Sequence, residues 1–102
     1  MFLDKILAMN NFNFLQKSPK EINLLIAKRI RLIRKRKKIS QQLLSKHSGV
    51  SYGSIKRFEQ SGEISLISLV KIAIALEVSL ELENLFEDVP ILSIEEIINE
   101  QS

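Results

Sequence analysis

Between Ile22 and Ile33 apolar residues recur at Ile22, Leu25, Ile26, Ile30 and Ile33, at spacings of three and four along one face. That spacing lines one face of an α-helix, which turns once every 3.6 residues. Just before it, "SPKE" (Ser18 to Glu21) supplies a capping serine, a proline for the first helical position and a glutamate that completes a capping box. Most other positions are cationic, and "KRKK" (Lys35 to Lys38) closes the run, where positive charge suits the helix C-terminal dipole. The pattern predicts a first helix over about 19–37.

The same punctuation recurs downstream. Ser40 precedes "QQLLSKHS", which stops at Gly49, and Ser51 precedes "YGSIKRFEQS", which stops at Gly62. Ser65 opens "LISLVKIAIALE", apolar almost all round, the mark of a helix buried on more than one side. Ser79 is expected to cap "LELENLFE", and Ser93 with Glu96 to form a capping box for "IEEIINEQ". The first residues resist such a reading. Phe2, Leu3, Ile6 and Leu7 suit a helical face, whereas Phe12 and Phe14 alternate with asparagines as in a short strand. Residues 1–17 are therefore taken as an arm, 18–88 as a domain and 89–102 as a C-terminal extension. The class is all-α.

Composition narrows the chemistry. The chain has 102 residues and no cysteine, which excludes disulfides and thiolate metal sites. One histidine, His47, cannot build a zinc site, and no nucleophile or orienting carboxylate accompanies it in any motif. Glu95, Glu96 and Glu100 read as a solvated terminal face rather than a metal cluster. No enzyme activity, metal or cofactor is expected. No apolar run reaches the roughly 20 residues that span a bilayer, and the first residues do not form a secretory signal. The expected location is cytoplasmic, on the nucleoid.

The net charge of +3 conceals a segregation. From Lys17 to Arg57 there are thirteen basic residues and one acid, Glu21; from Phe58 to Ser102 there are ten acids and one base, Lys71. One half of the chain is suited to a polyanion and the other is not.

The second and third helices are joined only by Gly49 to Ser51. A turn that tight makes two short helices cross steeply, which demands a small residue at the crossing, a turn glycine and inward apolar side chains. Ser45, Gly49 and the set Leu44, Val50, Ile55 and Phe58 meet those demands. The third helix then projects its first turns outward, in a position to enter a DNA major groove.

"ISQQLLSKHSGVSYGSIKRFEQSG" resembles the helix-turn-helix of the Cro/CI (XRE-type) repressors, and the frame from Ile22 to Phe86 is similar to their five-helix domain. The resemblance implies a five-helix DNA-binding domain, here with an N-terminal arm and a short C-terminal helix. It implies a homodimer that sets two recognition helices in successive major grooves, ~34–36 Å apart, on a double-stranded operator. Tyr52, Gly53, Ser54, Lys56 and Arg57 match the base-reading positions. Arg57 is the residue best suited to a bidentate guanine contact, worth ~1–3 kcal/mol of discrimination. Gln41 matches a phosphate contact, and Lys28, Arg36, Lys38 and Ser51 join it as phosphate ligands. Arg34 and Glu59 match a pair that ties the first helix to the recognition helix.

Two departures stand out. Gly53 lies where many relatives present a reading side chain, which shifts the balance toward phosphates and DNA shape. Lys38 replaces the glycine that commonly ends the first helix, which implies a tighter or strained end.

"GSIKRFEQSGEISLISLVKIAIALE" and the tail "LENLFEDVPILSIEEI" further resemble antitoxins paired with HipA-type kinase toxins, which repress their own operon and bind a kinase-type partner. A stand-alone repressor and an interaction module that has lost DNA binding are the alternatives. The eight basic residues of "KRIRLIRKRKK" would alone suggest a solvated face or localisation tract, and a basic helix can also lie on an anionic membrane. The adjoining helix-turn-helix turns the reading toward phosphate. Phe2, Leu3, Ile6, Phe12 and Phe14 either cap the core or join Ile67, Ile74, Ile91, Leu92, Ile97 and Ile98 in a dimer or partner surface.

Overall fold

Six helices, and no strand, make up the regular structure among the described residues: α1 Pro19–Arg36, α2 Gln41–Ser48, α3 Tyr52–Ser61, α4 Leu66–Ala75, α5 Ser79–Glu83 and α6 Ile94–Gln101. The computed structural model describes residues 15–90 and 94–101. The readings of residues 1–14 and of the Ser93 cap therefore lie outside the described residues.

Serine starts the first four helices. Ser18 Oγ accepts the Glu21 N–H at 3.1 Å and Glu21 Oε1 accepts the Ser18 N–H at 3.0 Å, a complete capping box. The backbone and side-chain hydrogen bonds from Ser18 hold the Glu21 carboxyl below its ordinary pKa. Ser40, Ser51 and Ser65 each accept the N–H three residues on, at 3.0, 3.1 and 3.2 Å. Each cap satisfies a donor that the helix leaves orphaned and stabilises by about 1 kcal/mol.

The core gathers one or two residues from each of α1 to α4 and from the segments that follow α2 and α4: Ala27, Leu44, Val50, Ile55, Phe58, Ile72 and Leu76. Phe58, Leu44, Ile55, Ile72 and Leu76 are all but sealed from solvent, and such burial is worth about 1.5–3 kcal/mol for each large side chain. The buried face of α1 is rotated from the one its isoleucines suggest. Ile22 and Ile26 remain 38% and 37% exposed, while Ala27 is fully buried and Arg34 is 7% exposed. The end of α3 also approaches α1 closely: a Cβ on Gly62 would lie 2.7 Å from the Asn23 carbonyl carbon.

Two helix ends differ from expectation. α4 stops at Ala75, two residues early, because Glu77 turns left-handed (φ 63°) and Val78 N–H reaches back to Ala73 O at 2.9 Å. That bond satisfies a terminal carbonyl in a Schellman closure. Ser79 is the first residue of α5 rather than its cap, Val78 takes the cap position without a side-chain bond, and the helix ends at Glu83. Leu80, Leu85 and Phe86 are 64%, 53% and 84% exposed. Without a face to bury, so short a helix has little to extend it. α1 closes like α4: Lys38 has φ 58° and Ile39 N–H bonds Arg34 O at 3.2 Å. The strain expected from a non-glycine residue there is present, since L side chains crowd the left-handed region.

Candidate nucleic-acid interface

The α2–α3 turn satisfies its own polar groups. Gly49 takes φ 76° and its N–H bonds Ser45 O at 2.9 Å. Val50 N–H donates to Ser48 Oγ at 3.1 Å, and Ser45 Oγ donates to Val50 O at 2.6 Å. Ser45 thus serves both as the small residue at the crossing and as a clasp across it. Ile55 and Phe58 are buried along one side of α3, which leaves Tyr52, Gly53, Ser54, Lys56 and Arg57 together on its exposed face.

α3 is locked to α1 by charge. Arg34 Nε and Nη2 donate to the two oxygens of Glu59 at 2.7 and 2.8 Å, and Arg34 Nη1 donates to Ile39 O at 2.8 Å. Gln41 Nε2 adds a third donor to Glu59 at 3.0 Å, and Arg31 Nε stands 3.8 Å away. The side chains of Arg34 and Glu59 are 8% and 3% exposed. Burial pushes the Glu59 carboxyl upward, but the hydrogen bonds of Arg34 and Gln41 and the charges of Arg34 and Arg31 outweigh it and leave the pKa below its ordinary value. The Glu59 hydrogen bond raises that of Arg34 in return, against its own burial.

The outward side chains of α3 have partners of their own. Ser51 Oγ meets Ser54 Oγ at 2.7 Å, Lys56 Nζ lies 5.1 Å from the Tyr52 ring centroid, and Arg57 Nη2 is 3.0 Å from Glu63 Oε2. Gly53 has open space around it: a Cβ there would meet nothing within 4 Å.

The cations expected at phosphates divide by helix geometry. Lys28, Arg31 and Lys35 follow at three and four residues and share a side of α1, the side on which Arg31 nears Glu59. Arg36 lies about 140° round the helix from Arg31. Lys38 is exposed beyond the helix end. Gln41 is turned partly inward, with one amide hydrogen on Glu59 and the other uncommitted by that bond. The Ser51 hydroxyl is engaged as the α3 cap and with Ser54. Sequence reasoning did not single out Glu63, Ser61 or Arg31. Only the backbone reversal at Gly62 brings Glu63 back to Arg57, and spacing alone carries no trace of it.

No cluster of three or more His, Asp or Glu able to hold a metal occurs among the described residues. None of their helices is long and apolar enough to cross a membrane. His47 is exposed on α2. A helix-turn-helix family model, of the Cro/CI (XRE) type, matches residues 30–82, just over half of the chain. No curated protein and no solved structure matches.

Proposed function

We propose that this chain, which belongs to the Cro/CI-type helix-turn-helix family of DNA-binding regulators, is a sequence-specific repressor that binds its operator as a homodimer. The observation that carries the proposal is the exposed face of α3. Tyr52, Ser54, Lys56 and Arg57 stand outward from a helix that Ile55, Phe58 and the buried Arg34–Glu59 pair hold in place. Arg57 is the principal base reader. Lys28, Lys38 and the free amide hydrogen of Gln41 hold phosphates, and Arg36 reaches the backbone only beyond the edge of that face. Ser51 contributes through its position at the start of α3, since its hydroxyl is already engaged.

Gel shifts on duplexes selected from a random library, repeated across salt concentrations, test this reading. Wild-type protein is expected to prefer a near-palindromic site. Arg57→Ala should remove preference at one base pair, worth ~1–3 kcal/mol. Lys28→Ala should weaken all sequences alike and lower the salt slope by about 0.9 for the lost phosphate. Binding without sequence preference, or none at low salt, would overturn the proposal.

A second reading rests on the other half of the molecule. Leu66, Ile67, Ile74, Leu80, Phe86 and Val89 are 59–84% exposed in the acidic part of the chain. Isolated exposed apolar residues are ordinary, but this many on one small domain favour a partner surface. On this reading the protein is the antitoxin of a toxin–antitoxin pair and binds a HipA-type kinase toxin while repressing their operon. Co-purification with a kinase encoded beside it is the expected result. A homodimer alone, with no heteromeric complex, refutes it.

A further inference from the structure

We propose that Glu63 is a positioning residue that sets the selectivity of Arg57, holding its guanidinium for base contact and denying it to the phosphates. The proposal rests on the base-reading role given to Arg57 above. A free arginine on a basic face has many rotamers, and the phosphates nearest to it carry no sequence information. Selectivity requires something to restrain it.

The restraint is built into the fold. Gly62 turns left-handed at φ 80° and packs so tightly on Asn23 that no side chain fits there. From that fixed point Glu63 N–H donates to Ser61 Oγ at 3.1 Å, and Ser61 Oγ donates to Arg57 O at 2.6 Å. The ring closes with Arg57 Nη2 on Glu63 Oε2 at 3.0 Å. The carboxylate is thus tied through backbone and hydroxyl to the same turn of α3 that carries Arg57. Beside the pair lies an open hollow of about 360 Å³, lined also by Ser54, Ile64, Ser65 and Ser68, so the pair is not packed against a wall on that side.

Glu63 engages one of the five guanidinium N–H groups, so the others remain for a guanine edge. It also places a negative charge beside the reader, which repels phosphate from Arg57. Glu59, the other acid of this region, is occupied by Arg34. Since both partners are well exposed, at 70% and 63%, the pair contributes little to folding. Its effect belongs to binding.

The experiment uses full-length wild type, Glu63→Gln, Arg57→Ala and the double variant. Each is titrated against the selected site, the same site with the Arg57-dependent base pair replaced, and an unrelated duplex. Glu63→Gln is expected to bind the unrelated duplex about two- to five-fold more tightly, having lost a charge that opposes phosphate. Its preference at the Arg57-dependent pair should fall about three- to ten-fold. In the Arg57→Ala background the same substitution should tighten all three duplexes equally, and melting temperatures should be unchanged. Full preference in Glu63→Gln, or an equal loss without Arg57, overturns the role of Glu63 alone. A wild type without preference at any pair overturns the DNA-reading assignment, and this inference with it.

Discussion

Glu59→Gln tests the lock between α1 and α3. Glu59 accepts two Arg34 hydrogen bonds at 2.7 and 2.8 Å and one from Gln41 at 3.0 Å, with its side chain 3% exposed. Glutamine keeps the shape but turns an amide donor toward a guanidinium that has only donors. Removing one partner of a buried pair costs about 3–5 kcal/mol, because the remaining charge stays desolvated. The conserved shape places this variant near the lower end, about 3 kcal/mol of the ~5–15 kcal/mol that holds a typical domain together. At about 4–8 °C per kcal/mol for a domain of this size, the melting temperature should fall by about 12–24 °C. Urea denaturation followed by helical circular dichroism measures it directly. The double variant Arg34→Met/Glu59→Leu, apolar on both sides, should recover most of the loss, as replaced buried pairs do. The pH dependence has a definite sign. The Glu59 pKa is lowered in the folded state from an unfolded value of about 4.3. Its stabilisation is therefore complete above about pH 5 and is lost as pH falls through the lowered folded value. Wild type should weaken over that acid range, and the apolar double variant should lack this component. A cost under about 1 kcal/mol for Glu59→Gln, or a double variant as unstable as the summed singles, would refute the reasoning.

Lys38→Gly should stabilise the protein by about 0.5–1 kcal/mol in urea, relief of the left-handed strain at φ 58° exceeding the added unfolded-state entropy; equal or lower stability counts against strain at this helix end. Gly62→Ala should cost about 2–4 kcal/mol, since its Cβ would meet Asn23 backbone at 2.7 Å as well as adopt φ 80°. Gly49→Ala, with φ 76° but open space, should cost only about 1–2 kcal/mol, and equal losses at the two sites would show that the close approach to α1 is not what glycine serves. Gly53→Ala should stabilise the protein slightly in urea, by about 0.5–1 kcal/mol of helix propensity, since a Cβ there meets no other protein atom within 4 Å; equal or lower stability counts against that reading.

What was legible before the structure is what the chain encodes locally. Serine caps, the Gly49 turn and the period of three and four depend on neighbours within a few residues, and they locate α1 to α4 to within two residues. The inward set Leu44, Val50, Ile55 and Phe58 is buried for the same reason, as the tight turn leaves those side chains nowhere else to go. Contacts between distant elements are a different matter. Ala27 gives little hydrophobic signal between Ile26 and Lys28, yet it is fully buried in the core cluster with residues of α2, α3 and α4. Arg34 and Glu59 look like two unrelated surface charges among many, and only the likeness to a known family paired them. Glu63 could not have been paired with Arg57 from spacing, because the pairing requires the reversal at Gly62. α5 read longer than it is because leucine and glutamate favour helices, whereas Leu85 and Phe86 stay exposed and find no packing partner among the described residues to extend it.

The geometry ties economy of readout to rigidity of presentation. Three outward polar side chains of α3 already have a neighbour within the protein: Ser54 with Ser51, Lys56 with Tyr52, Arg57 with Glu63. Gly53 adds none. A DNA edge gains from such groups only the difference between its own contacts and those it displaces, which keeps direct readout small. Each group is also held near one conformation, so less side-chain entropy is lost on binding. On the proposed reading, affinity falls chiefly to the cations of α1, whose contacts with phosphate would be indifferent to sequence, while the residues of α3 would contribute discrimination. The acidic half of the chain fits this division. Its charge would weaken a phosphate grip if it shared that face, and its exposed apolar side chains have no use against DNA. On the proposed reading, the surface that opposes DNA is the one left for a protein partner.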